Sequence, residues 1–198
     1  MAWRDPKPAP AGLELVRAFV NTRDIARGGD RLTVPAEATE WFTEVGLMEQ
    51  PSGKPDSVKM GLARPTPAIS ASGLRRATEL REALRLMLLA HNNGNADTSG
   101  PQLVVNMALL RGRVVPSLDA SGELHLNVRA SGLGGALGEI AAIVAEATAD
   151  GSWLRLKACP SCDWAFYDAT RNGAGRWCDM KVCGNRAKQQ AFHARHPT

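Results

Sequence analysis

All four cysteines of this 198-residue chain fall between positions 159 and 183. This clustering constrains the fold more than any other feature of the sequence. The pattern is Cys159-Pro160-Ser161-Cys162, fifteen residues, Cys178, four residues, Cys183. A CxxC turn presents two thiolates to one tetrahedral ion. A second pair has to return from farther along the chain, and fifteen residues suffice for a hairpin to bring it back. A redox CxxC leaves Cys178 and Cys183 without a role, and disulfides suit a chain with no secretory leader poorly. The expectation is therefore one structural Zn2+ on Cys159, Cys162, Cys178 and Cys183. Four thiolates fill the shell and leave no place for a water, which argues against a catalytic metal.

Around the cysteines the sequence predicts a strand over 153–157 and a hairpin from Ala165-Phe166-Tyr167 and Arg176-Trp177, with Asn172-Gly173-Ala174-Gly175 as its turn. A helix is expected over 185–195. Knuckle, hairpin, helix is a treble-clef-like order. Phe166 and Trp177 are expected to form its small core; Asp168 either braces the hairpin, with Arg186 as a candidate partner, or is an exposed turn acid. Upstream, apolar residues recur at helical spacing over 13–20, 36–45, 74–88, 101–110 and 133–147. Ser70 is placed to cap the longest helix, whose other face carries Arg75, Arg76, Glu79, Arg81, Glu82 and Arg85. Residues 113–118 and 123–128 alternate around Asp119-Ala120-Ser121-Gly122 and predict a hairpin. The fold class is α+β: a mostly helical N-terminal domain with one β-hairpin, plus a small zinc finger. The expected organisation is a flexible N-terminus over 1–10, a regulatory or dimerisation domain over 11–151, and the finger over 152–198. The Pro- and Gly-rich stretch 50–69 is expected to be a loop.

Charge is divided unevenly. Residues 152–198 hold eight Lys and Arg against three Asp, a net of +5, whereas residues 1–151 sum to −1. Four thiolates with Zn2+ add −2, so the loaded module stays near +3. A basic module of this kind faces an anion. No stretch reaches the roughly 18 consecutive apolar residues of a membrane helix, and the N-terminus has no apolar run after its charges. The expected location is cytoplasmic, nucleoid-associated if the chain binds DNA. No nucleotide-binding loop, GxSxG or HExxH occurs, so the chain reads as no enzyme.

The stretch Cys159-Pro-Ser-Cys162, Phe166-Tyr-Asp168-Ala-Thr170-Arg171-Asn172, Arg176-Trp177-Cys178 and Cys183-Gly184-Asn185-Arg186-Ala187-Lys188 resembles the CGNR zinc finger. Phe19-Val20-Asn21-Thr22-Arg23 and Leu80-Arg81-Glu82-Ala83-Leu84-Arg85 resemble the ABATE domain that precedes that finger in bacterial stress-induced transcription regulators. The resemblance implies a DNA-binding role. The residues point the same way: a helix with Arg186, Lys188, Gln189, His193 and Arg195 suits the major groove of double-stranded DNA. Lys181 adds another cation, and Arg171, Asn172 and Arg176 at the hairpin tip would meet the backbone. A homodimer through the large domain would present two fingers. Asn21, Thr22, Arg23, Arg81 and Arg85 are candidates to line a pocket for a small-molecule effector, against the plainer reading of a capped helix end with surface ion pairs. Two other readings stay open at this point: a module that binds a protein such as RNA polymerase, and an enzyme with a recruitment tail.

Overall fold

The computed structural model describes residues 8–49, 68–94 and 96–196. Positions 1–7 of the expected flexible N-terminus and 50–67 of the expected loop lie outside these residues. In chain order the elements are α1 (Ala11–Val20), β1 (Arg23–Asp24), β2 (Gly29–Asp30), α2 (Pro35–Glu44), α3 (Ala71–Asn93), α4 (Ser99–Gly112), β3 (Val115–Leu118), β4 (Leu124–Asn127) and α5 (Gly132–Ala149). A 3-10 turn (Ser152–Arg155), β5 (Leu156–Ala158), β6 (Ala165–Tyr167), a π-helical turn (Met180–Gly184) and α6 (Asn185–Arg195) follow. The three sheets are two-stranded and antiparallel: β1 with β2, β3 with β4, β5 with β6.

The helices follow their apolar spacing. Ser70 accepts a hydrogen bond from the Gly73 amide at 3.1 Å and so caps α3. Ala77, Leu80, Leu84, Met87 and Leu88 form its buried stripe. α1 buries Leu13, Val16, Phe19 and Val20. Ile25 lies beyond the end of α1 and is exposed. α5 is the one described helix long and apolar enough to cross a membrane by length and composition. Half of that span is buried, including Leu137, Ile140, Ala141 and Val144.

The chain divides into two compact units, with boundaries inside α3, α4 and α5. The first joins residues up to 30, 81–103 and 143 onward, and so spans both sides of position 151. Its buried residues include Phe19, Leu84, Leu88, Val144, Trp153, Leu156 and Phe166. β6 packs on α1.

The second unit comprises 31–80 and 104–142. Trp41 and Phe42 meet edge to face at 5.0 Å, and Thr39 Oγ1 accepts the Ile69 amide. α4 and α5 cross where Gly112 faces Gly138; a Cβ on Gly112 would sit 2.5 Å from the Gly138 Cα. The β3–β4 hairpin is turned by Asp119, whose carboxylate accepts the Ser121 and Glu123 amides. Its residues are exposed or half-buried.

Two local expectations are corrected. Residues 153–157 begin as the 3-10 turn that buries Trp153, and only 156–158 form strand. Residues 176–177 form no strand; β6 pairs instead with β5, so the hairpin brackets the CxxC turn itself. The physical reason is reach, since three residues from each side of a tight knuckle pair at once, with no long loop to close.

Candidate zinc centre and nucleic-acid surface

The knuckle is set by backbone hydrogen bonds. Cys159 donates to the Trp164 carbonyl at 2.9 Å, and the Cys162 and Asp163 amides turn back to the Cys159 carbonyl. Asp163 closes the turn at φ +59°. The second pair comes from the π-helical turn. The Asp179 carboxylate accepts the Lys181 and Val182 amides at 2.6 and 3.1 Å, which fixes the turn that ends at Cys183. A Cβ on Gly184 would lie 2.5 Å from Met180 Sδ and 3.2 Å from the Trp177 ring, so a side chain there requires the exposed Met180 to move aside. Asn185 donates to the Lys181 carbonyl at 3.0 Å and ties the start of α6 to the same turn.

These elements bring the four sulfurs within 4.8 Å of one another. Cys162–Cys178, Cys183–Cys162 and Cys178–Cys183 are 3.5, 3.6 and 3.7 Å apart. Sulfurs at about 2.3 Å from a central ion in a tetrahedron lie about 3.8 Å apart, so the cluster has the dimensions of a Zn2+ shell. The thiols alone do not share one charge state. Hydrogen bonding from Cys162 holds Cys159 down at about 2, while Cys159 pushes Cys162 up to about 12 and pushes Cys178 up as well. A divalent cation at the centre offsets that repulsion and lets all four be thiolates. Cys159, Phe166 and Cys183 are buried together, with Trp177 packed against them. The small core expected of Phe166 and Trp177 is the floor of the metal site.

Asp168 is 2% exposed and does brace the module, but its partner is Lys157 and not Arg186. Its carboxylate accepts from Lys157 Nζ at 2.8 Å, the Thr170 amide and hydroxyl, and the Gly175 amide at 2.7 Å. Lys157 also donates to the Gly173 and Gly175 carbonyls. Burial by itself would raise the Asp168 pKa; the hydrogen bonds from Lys157 and Thr170 outweigh it and hold the group at about 2. Arg155 holds the same loop from outside, through the Asp168, Thr170 and Arg171 carbonyls. Arg186 is exposed.

The remaining cations face outward. Arg171, Asn172, Arg176, Lys181, Arg186, Lys188, Gln189, His193 and Arg195 are all exposed. Arg176 lies over the Trp177 ring, and Arg195 turns back to the Ala191 carbonyl. Of the small residues that recur along α6, Ala187 is half-buried, and Ala191 and Ala194 are exposed. α6 buries none of its residues.

The candidate effector residues lie in the first unit, and all five bind the protein's own backbone or side chains. Arg81, 1% exposed, makes a two-pronged pair with Asp30 at 2.6 and 2.8 Å and reaches Thr22. Arg85, 4% exposed, donates to the Val20, Arg23 and Asp163 carbonyls. These two arginines were expected on the exposed face of their helix; carboxylate and carbonyl partners make their burial affordable. Asn21 donates to the Ala165 carbonyl and accepts the Ala165 amide. Thr22 donates to Phe19, and Arg23 stays near Glu82 at the surface. None of the five lines the cleft of about 860 Å³ in the second unit, whose walls include Met48, Arg76, Leu133 and Glu139.

Sequence reasoning missed Lys157, His91 and Asn92. His91 Nδ1 is 2.7 Å from the Leu156 carbonyl, and Asn92 donates to the Ala158 and Arg176 carbonyls. All three are polar groups bound to backbone far away in sequence, which leaves no local pattern.

Comparison with known proteins agrees with this architecture. Residues 13–151 match the ABATE family model, described as "Putative stress-induced transcription regulator", and residues 155–196 match the CGNR zinc finger. A search of curated proteins returns no match.

Proposed function

Because this chain belongs to the ABATE family of stress-induced transcription regulators and ends in a CGNR zinc finger, we propose that it regulates transcription by binding double-stranded DNA through that finger. The observation that carries the reading is α6, an eleven-residue helix with no buried residue, fixed at its start by the metal turn and lined with Arg186, Lys188, Gln189, His193 and Arg195. A helix that buries none of its residues and carries cations with amide side chains has the chemistry of a major-groove reader. Arg171, Asn172, Arg176 and Lys181 would add backbone contacts. Zn2+ supplies no reactive step here; it holds the knuckle and the π-helical turn together.

Binding by a single small finger is weak, so the proposal includes a homodimer through residues 11–151 that offers two fingers to a near-palindromic site. The second unit's cleft, rather than the Asn21–Arg85 network, has the room for a small-molecule effector. The place of action would be the nucleoid.

The test is DNA affinity as a function of salt. If four of the six exposed finger cations reach phosphates, the log–log slope is about −3.6 per finger, from roughly −0.9 per contact. Lys188→Ala and Arg171→Ala should weaken binding to every sequence and flatten the slope. Gln189→Ala should relax preference at one base pair by ~1–3 kcal/mol. Unchanged affinity in all three variants, with zinc retained, would replace this reading by a protein partner such as RNA polymerase.

A further inference from the structure

Phe192 is 55% exposed, in the C-terminal half of a helix that buries none of its residues. Leaving a phenylalanine in water forgoes the stabilisation that burial would give it. Its ring contacts are His193, edge-on at 5.9 Å, and His196, tilted at 4.8 Å. On α6 only Ala187 is partly covered. At 100° per residue, the face opposite Ala187 carries Asn185, Gln189, Phe192 and His193, and His196, just past the end of α6, lies against the Phe192 ring. Arg186 lies on one flank of that face, and Lys188 and Arg195 on the other. The outermost strip is thus an aromatic ring among amides and imidazoles, with cations on both sides.

We propose that Phe192 is a specificity-determining residue that recognises the 5-methyl group of thymine in the major groove, beside a base pair read by Gln189 or His193. The inference rests on the DNA-binding reading above. The cations on both flanks match the phosphates that border the groove, which places the central strip over the base edges. Among the base edges in that groove, the thymine methyl is the apolar feature, and apolar side chains are its natural partners. A rigid ring between two hydrogen-bonding side chains would therefore select sites with thymine at one or two fixed positions.

The experiment uses the full zinc-loaded chain. Duplexes are selected from a random pool, and one selected duplex is resynthesised with each thymine replaced in turn by deoxyuridine, which removes only the methyl. At one or two positions uridine should weaken wild-type binding about fourfold, the equivalent of ~0.8 kcal/mol for one buried carbon. Phe192→Ala should bind the thymine duplex more weakly and lose all sensitivity to uridine, whereas Phe192→Leu should keep part of it. Zinc content and melting temperature should be unchanged in both, because Phe192 is exposed and lies outside the cluster of Cys159, Phe166, Cys183 and Trp177. Equal binding of thymine and uridine duplexes at every position overturns the assignment and leaves the DNA reading standing. The same holds if Phe192→Ala still discriminates. Recovery of no preferred duplex overturns both.

Discussion

Replacing Asp168 with alanine tests what holds the finger together apart from its metal. The carboxylate is buried and accepts four hydrogen bonds, one of them from an ammonium that is itself 8% exposed. Removing it leaves the Lys157 charge, the Thr170 hydroxyl and the Gly175 amide short of a partner. Breaking a buried ion pair from one side costs about 3–5 kcal/mol. The depressed pKa has the same sign: against the opposing effect of burial, the hydrogen bonds from Lys157 and Thr170 favour the charged carboxylate. Urea unfolding of the zinc-loaded chain, followed by the fluorescence of Trp153, Trp164 and Trp177, should show Asp168→Ala less stable by ~3–5 kcal/mol. In the background of Lys157→Met the same substitution should cost much less, because no orphaned charge remains. Arg186→Ala should fall within ~0.5 kcal/mol of wild type, as surface substitutions do. A loss below ~1 kcal/mol for Asp168→Ala, or an equal loss with and without Lys157, would refute the brace.

Cys178→Ser should lose zinc, and hydrogen exchange should then quicken not only in 159–185 but also in α1 and the C-terminal half of α3, which contact the finger; unchanged protection there would show that the finger is a separate body. His91 is half-buried, and loss of solvent lowers its pKa. The unfolded chain therefore takes up a proton near pH 6.5 that the folded one refuses. Stability should fall as pH drops below about 6.5, and His91→Asn, read by urea unfolding, should reduce that fall. Gly138→Ala should destabilise the chain by ~1–3 kcal/mol through the α4–α5 crossing, read as a lower melting temperature with zinc content intact.

The helices and the metal set were legible because each depends on spacing along the chain. Ser70 before an apolar stripe, Gly46 and Gly151 after two helices, and cysteines at CxxC and CxxxxC intervals all speak locally. What was not legible depends on partners brought together by folding. Arg81 and Arg85 read as an exposed charged face, and nothing near them announces Asp30 or the Val20, Arg23 and Asp163 carbonyls. Asp168 looked ready for any arginine, yet the β5–β6 register places Lys157 beside it, from the strand opposite. The hairpin assignment of 176–177 failed for a related reason: β5 was the nearer partner, and strand propensity does not encode pairing.

The β5–β6 ribbon also has a consequence for association. In an antiparallel pair the backbone groups of alternate residues point outward, ready to pair with another chain. Here Cys159 bonds Trp164 and Asp168 bonds Arg155 across the ribbon, so Leu156, Ala158 and Ala165 turn theirs to the edges. Each of these residues is met by a side chain: His91 at the Leu156 carbonyl, Asn92 at the Ala158 carbonyl, and Asn21 at both the carbonyl and the amide of Ala165. The three polar residues stand where neighbouring strands would otherwise be recruited. A finger that has lost its zinc and slipped from this clamp would expose Leu156-Lys157-Ala158 and Ala165-Phe166-Tyr167 as bare strand edges. Asn21, His91 and Asn92 thus occupy these strand edges only while the finger stays folded against them.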